Sequence, residues 1–200
     1  MVKQKIVPQN KQTRQTHLSR LYFLAKGCKQ VPLELVGGKV LWANGEEGYF
    51  MSAYGIKLKP LHGPANRKKG SKANGGKRGF VHPQMIHYNA QYAHRLIFAT
   101  FADEPCPIFF DSKGNPYKGI VHHVIENPHD IRIDNLMGWL TYKQHAIADK
   151  RRRALEDVLP DMYCVETFYL KTLQDPRHTD DINFERALNN LRTTYGKDCL

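Results

Sequence analysis

The stretch Gly119–Arg153, GIVHHVIENPHDIRIDNLMGWLTYKQHAIADKRRR, constrains the fold of this chain more than any other. Its opening, GIVHHVIE, is short and rich in β-branched residues, which suits a strand. Successive strand side chains face opposite sides. His122 and His123 therefore point apart, and two neighbouring histidines suit two different tasks. Pro128 and Asp134-Asn135 mark an irregular loop, and MGWLT reads as a second short strand. TYKQHAIADKRRRAL then reads as a helix with Thr141 as N-cap and Gln144 three residues later, the spacing of a capping box. His145 falls in the first turn of that helix, with Asp149 one turn further on the same face. Strand, loop, strand and helix in this order bring His122, His123, Asn135 and His145 together.

Charge indicates what such a cluster would meet. The net charge is +11, unevenly spread: residues 156–200 hold nine acids and five bases, a local −4, so residues 1–155 carry +15. That excess points to a polyanion, most often nucleic acid. Two clusters stand out. Residues 62–84 contain five glycines and six bases, Arg67, Lys68, Lys69, Lys72, Lys77 and Arg78, with little apolar material to bury. They read as a flexible loop, either merely solvated or ordering on a phosphate backbone. Lys150, Arg151, Arg152 and Arg153 continue from the helix just described and suit phosphates too. If both clusters touch phosphates, DNA affinity falls with salt at a log–log slope of about −0.9 per contact.

The remaining sequence supplies the frame. Residues 1–30 read as a basic arm entering a short helix around Leu18–Ala25; VPLEL, GKVLW and YFMSAYGIKL read as strands, with Asn44-Gly45 as a hairpin pair. QYAHRLIFATFA reads as an apolar helix. IFF and GIVHHVIE read as a strand pair around a long turn, Asp111–Gly119. Beyond Arg153 two further helical stretches follow, the last with Phe184, Leu188 and Leu191 on one face. No apolar run approaches the roughly 18 residues of a membrane span, and the polar N-terminus is not a secretory signal. Cys28, Cys106, Cys164 and Cys199 form no CxxC pair, which argues against a cysteine zinc site and for a reducing cytoplasm.

Three motifs in order resemble the HNH endonucleases, specifically the homing-endonuclease branch found in phages and mobile introns. Val121-His122-His123-Val124 is followed twelve positions after His123 by Asn135, within Asp134-Asn135-Leu136, and then by Trp139-Leu140-Thr141. YAHRLIFATFA, with His94 and Arg95, is similar to that branch's Val-His-Arg-Leu-Val helix; GYFMSAYGIKLKP is similar to its N-terminal strand motif through Tyr49, Ser52 and Gly55. The likeness covers residues 48–155. Gly138 is one residue more than the pattern has, expected to bulge the strand and shift His145 relative to Asn135. His145 itself is closer to the general HNH pattern and to bacterial nuclease toxins.

The resemblance implies an α+β fold: a ββα-metal (His-Me finger) nuclease core over 48–155, a small N-terminal β region over 1–47, and a helical C-terminal tail over 156–200. It implies hydrolysis of DNA phosphodiesters, with His123 as general base, Asn135 orienting it, and His122 and His145 holding a divalent cation that Asp149 completes. His129 is a lesser rival ligand. Mg²⁺ is first on cellular availability, although two imidazoles suit Mn²⁺, Zn²⁺ or Ni²⁺ better. Arg95 stands between a phosphate contact and a surface salt bridge. Double-stranded DNA is the expected partner and no membrane is, in the cytoplasm of a bacterium or a phage-infected host. The acidic tail is expected either to pack on the core or to meet a protein partner, and a chain ending near Pro160 to keep its metal site. The rivals are a DNA-binding protein that kept this fold and lost turnover, and a basic RNA-associated structural protein.

Overall fold

A computed structural model describes residues 17–58, 85–86, 91–102, 104–127, 129–159 and 161–195. Helix α1 (Arg20–Leu24) buries Phe23, whose ring stacks on Trp42 at 4.5 Å. Strands β1 (Cys28–Gln30), β2 (Leu41–Asn44), β3 (Tyr49–Ser52) and β4 (Lys57–Leu58) follow, paired antiparallel in chain order. VPLEL is not a strand; Leu33–Val36 is a single 3-10 turn. Pro32 removes a ladder donor within that segment, and Gly37, at φ 64°, ends the turn and leaves Val36 buried.

The β2–β3 hairpin forms where Asn44-Gly45 predicted it. The Asn44 side chain accepts the Glu47 N–H and donates to the Lys26 carbonyl, each at 2.8 Å. This turn contains the expected domain boundary at residues 47 and 48. One sheet runs through it, so the chain does not divide there.

Strands β5 (Met85–Ile86) and β6 (Gln91–Tyr92) pair and lead into helix α2 (Ala93–Phe101). Strands β7 (Ile108–Phe110) and β8 (Pro116–Lys118) pair with each other, so the expected pairing of IFF with GIVHHVIE is corrected. The turn is also shorter than expected, because the Asp111 carboxylate accepts the N–H groups of both Lys113 and Asn115 at 2.8 Å and closes it early. Strand β9 (Ile120–His123) pairs antiparallel with β10 (Leu136–Leu140), and helix α3 (Tyr142–Glu156) starts at once behind it. The Thr141–Gln144 capping box is complete. Helices α4 (Thr167–Gln174) and α5 (Asp181–Tyr195) complete an α+β chain. Among the described residues, no helix is long and apolar enough to cross a membrane.

The β9–β10 hairpin is a partition between two cores. On one side, Val121, Leu136 and Trp139 pack with Leu41, Phe50, Leu96 and Ile97 from the first sheet and α2. On the other, Val124, Met137 and Leu140 pack with Ala148 and Leu155 of α3 and with Leu170, Phe184 and Leu188 of the tail. We call these the front and rear faces. The tail is thus half of a core. A chain ending near Pro160 would expose that core, and the expectation that it keeps its site intact is corrected on this ground.

Gly138 does bulge the strand. Leu136 and Met137 pair with His123 and His122, but Leu140 pairs with Ile120, so β10 takes three steps where β9 takes two. A Cβ on Gly138 would meet the Phe98 ring at 2.9 Å, so glycine is what lets Phe98 close over the bulge. The extra residue is absorbed there. Met137 and Leu140, on either side of it, both lie in the rear core, as do Ala148 and Leu155 of α3.

Candidate functional site

The alternation of β9 sends its two histidines into different surroundings. His122 points rearward and is 4% exposed. Its Nε2 lies 3.2 Å from Gln174 Oε1, and its ring meets His145 edge-on with 5.2 Å between centroids. Burial drives its pKa down to about 4, with the neighbouring His145 acting in the same direction. His145, in the first turn of α3, is lowered as well, again by burial, with Asp149 opposing. Two uncharged imidazoles face each other, which is the state a cation requires of them.

His123 points forward. Its ring lies 5.0 Å from that of His94 on α2, and among the described residues its buried Nε2 has no hydrogen-bond partner. Burial brings this pKa down to about 4, against the pull of Asp130. His94 is 7% exposed, its Nδ1 is likewise buried and unpartnered, and burial together with His123 takes its pKa to about 3.

Asn135 holds the loop between the strands. It is fully buried; its Oδ1 accepts the Ile125 N–H at 2.8 Å and its Nδ2 donates to the Asp130 carbonyl at 3.0 Å. Its backbone carbonyl also accepts the Val124 N–H at 2.9 Å. The residues just after His123 are thereby tied to the start of β10.

Asp149 influences both rear histidines, as their shifts show. Its oxygens, however, bond Arg152 and Arg153. Burial opposes ionisation there, but the Arg152 hydrogen bond and the two guanidinium charges outweigh it and hold the carboxyl below its ordinary range. Among the described residues, no group of three His, Cys, Asp or Glu side chains gathers closely enough to hold a metal ion. The donor set of His122 and His145 fits a divalent cation in chemistry; the third ligand would have to leave its arginines.

The basic run after Asp149 divides. Lys150 and Arg153 are exposed. Arg151 and Arg152, expected on phosphates, are only 3% and 4% exposed, and that expectation is corrected. Arg151 donates to the carbonyls of Thr179 at 2.8 Å and Leu173 at 3.3 Å and pairs with Asp181, fastening the tail. Arg152 is shared among Glu126, Asp149 and Glu156. Arg151 turns inward because the tail offers it carbonyls and a carboxylate, and Arg152 because the loop carboxylate of Glu126 meets those of Asp149 and Glu156 on its own helix. Arg95 lies over the Trp139 ring at 5.8 Å and donates to Cys106 Sγ; among the described residues it makes no salt bridge. His129 is exposed. Arg67, Lys68, Lys69, Lys72, Lys77 and Arg78 lie outside the described residues.

The chain matches no protein-family model, no curated protein and no solved structure. The site therefore stands on its own residues. Two of these went unassigned in the sequence reading. His94 was visible in its motif but had no role until α2 set it beside His123. Gln174 was missed; its signal was a polar residue on the helical stripe of Leu170 and Leu173, where an apolar one belongs.

Proposed function

We propose that this chain is a metal-dependent endonuclease of the ββα-metal, HNH type, hydrolysing phosphodiester bonds of double-stranded DNA. One observation carries the reading: a single strand presents His122 to His145 on one face and leaves His123 Nε2 unpartnered on the other, with Asn135 tying the loop that follows. His123 is the general base and takes a proton from the attacking water through that nitrogen; its depressed pKa keeps it unprotonated at pH 7. Asn135 holds the base in place. His122 and His145 would hold the cation, with Asp149 as the third ligand in place of its bonds to Arg152 and Arg153. When bound, Mg²⁺, or Mn²⁺, Zn²⁺ or Ni²⁺, supplies positive charge to the phosphate and the departing oxygen. The +15 on residues 1–155 supports a nucleic-acid substrate.

A plasmid-nicking assay with and without EDTA tests the reading. Nicking that EDTA abolishes is expected; a plasmid left intact under all divalent cations sinks it. The arginine grip on Asp149 favours one second reading, a DNA-binding protein without turnover. Salt-sensitive binding of the same plasmid with no nicking would select that one.

A further inference from the structure

We propose that Gln174 locks His122 as its Nε2–H tautomer and so makes Nδ1 the ring nitrogen that offers a lone pair to the cation. The cation rests on the nuclease reading above, while the tautomer does not. Gln174 is fully buried at the end of α4, fifty-two residues along the chain from His122. Its Nε2 lies 2.9 Å from the Val124 carbonyl, one residue beyond the end of β9. A carbonyl oxygen only accepts, so the amide NH₂ must face it. That leaves Oε1, which also only accepts, against His122 Nε2 at 3.2 Å. A hydrogen bond there requires that Nε2 carry the proton. An uncharged imidazole has one N–H, so the lone pair is on Nδ1.

Turning the amide over would set Oε1 against the Val124 carbonyl and leave both buried groups without a partner. The Val124 N–H is taken by the Asn135 carbonyl, and Gln174 supplies a donor to the Val124 C=O. One tail side chain therefore continues the backbone pairing of β9 and orients the ring that strand carries. Partners of this kind, bonded to the second nitrogen of a ligating histidine, fix its tautomer and ring direction.

The test is a long-range ¹H–¹⁵N correlation spectrum of the metal-free full chain, with the His122 signals assigned by their loss in His122→Ala. The Nε2–H pattern is expected; an Nδ1–H pattern overturns the proposal. Gln174→Met keeps the length and volume of the side chain and removes both hydrogen bonds. It should give a mixture of tautomers, and Mn²⁺ affinity by calorimetry should fall about 10- to 100-fold. A variant that keeps the parent's spectrum and affinity overturns the proposal, and if the variant does not fold, the parent spectrum alone decides. The Nε2–H pattern in a chain that binds no Mn²⁺ and nicks no DNA overturns the nuclease reading and, with it, the lone pair's assigned task. The Nδ1–H pattern in a chain that does cut DNA overturns the role of Gln174 alone.

Discussion

His122 and His123 are neighbours in sequence, yet the rings that meet them come from opposite directions along the chain, His145 from after His122 and His94 from before His123. His123 meets His94 of α2 on the front face, and its Nε2 is left without a partner. His122 meets His145 of α3 and Gln174 of α4 on the rear face, where its Nε2 is held. Both rings are kept uncharged by burial. What separates them is the second nitrogen's company: a ring with an open nitrogen suits proton transfer, and a ring clamped in orientation suits a ligand. Two histidines side by side on a strand become different instruments because the two cores they enter are built from different parts of the chain.

The largest effect should come from removing the rear half. A chain ending at residue 159 loses Leu170, Leu173, Phe184, Leu188 and Leu191, all buried in the rear core. At roughly 1.5–3 kcal/mol for each, the loss is comparable to the usual 5–15 kcal/mol of total stability. Circular dichroism and limited proteolysis should show an unfolded or molten chain. A truncated chain that melts cooperatively would show that the front core suffices.

The histidines themselves should fail in opposite ways. His123→Ala should lower turnover about 10²- to 10⁴-fold, the usual contribution of a positioned base, with Mn²⁺ affinity unchanged. His122→Ala and His145→Ala should lose Mn²⁺ affinity first, with cutting partly restored at high Mn²⁺. Calorimetry on the three variants decides. Loss of metal by His123→Ala but not by His122→Ala would exchange the two roles.

Arg151 and Lys150 sharpen the comparison among bases. Arg151→Ala should cost about 1–3 kcal/mol, because it leaves the buried Leu173 and Thr179 carbonyls without their donor. It should leave the salt dependence of DNA binding alone. Lys150 is exposed, so Lys150→Ala should leave the urea midpoint nearly unchanged. If Lys150 touches a phosphate, it should reduce the salt slope by about 0.9. A salt slope that responds to Arg151 instead would mean that the tail swings away on DNA.

A further effect is on pH. His94, His122 and His123 have folded pKa values of about 3, 4 and 4, below the roughly 6.5 of an unfolded histidine. Above pH 6.5 neither state binds the proton and stability is unaffected. As pH falls below 6.5 the unfolded chain takes up protons that the folded chain refuses, so stability declines by up to about 1.4 kcal/mol per pH unit for each histidine. The decline ends for each as pH passes its folded pKa. Urea midpoints at pH 7 and pH 5 should show it, and His94→Phe should remove one histidine's share. Equal midpoints would mean that water reaches these rings.

Much of this was legible locally. The Thr141–Gln144 capping box, the Asn44-Gly45 hairpin and the apolar stripe of Phe184, Leu188 and Leu191 all formed as their spacing predicted, because each depends on residues within a turn or two. The opposed directions of His122 and His123 follow from strand geometry alone. The destination of VPLEL did not, since a proline and a glycine outweighed its strand-forming residues. Nor did the effect of Gly138: spacing shows an extra residue, but only the Phe98 ring over it shows that the strand absorbs the insertion.

Sequence by itself determined which residue types stand at each position and which way each faces along its own element. Tertiary structure decided their company. Arg151 and Arg152 belong to a basic run by composition; the tail's Leu173 and Thr179 carbonyls and Asp181 carboxylate make Arg151 an internal tie, and Glu126 of the β9–β10 loop joins Asp149 and Glu156 around Arg152. Gln174 is one polar residue in an acidic segment until α4 folds across β9 and places it on His122. A side chain's direction is set by the few bonds of its own backbone, whereas a buried partner is set by which distant segment packs there, a choice made by two cores of apolar contacts that no local pattern records.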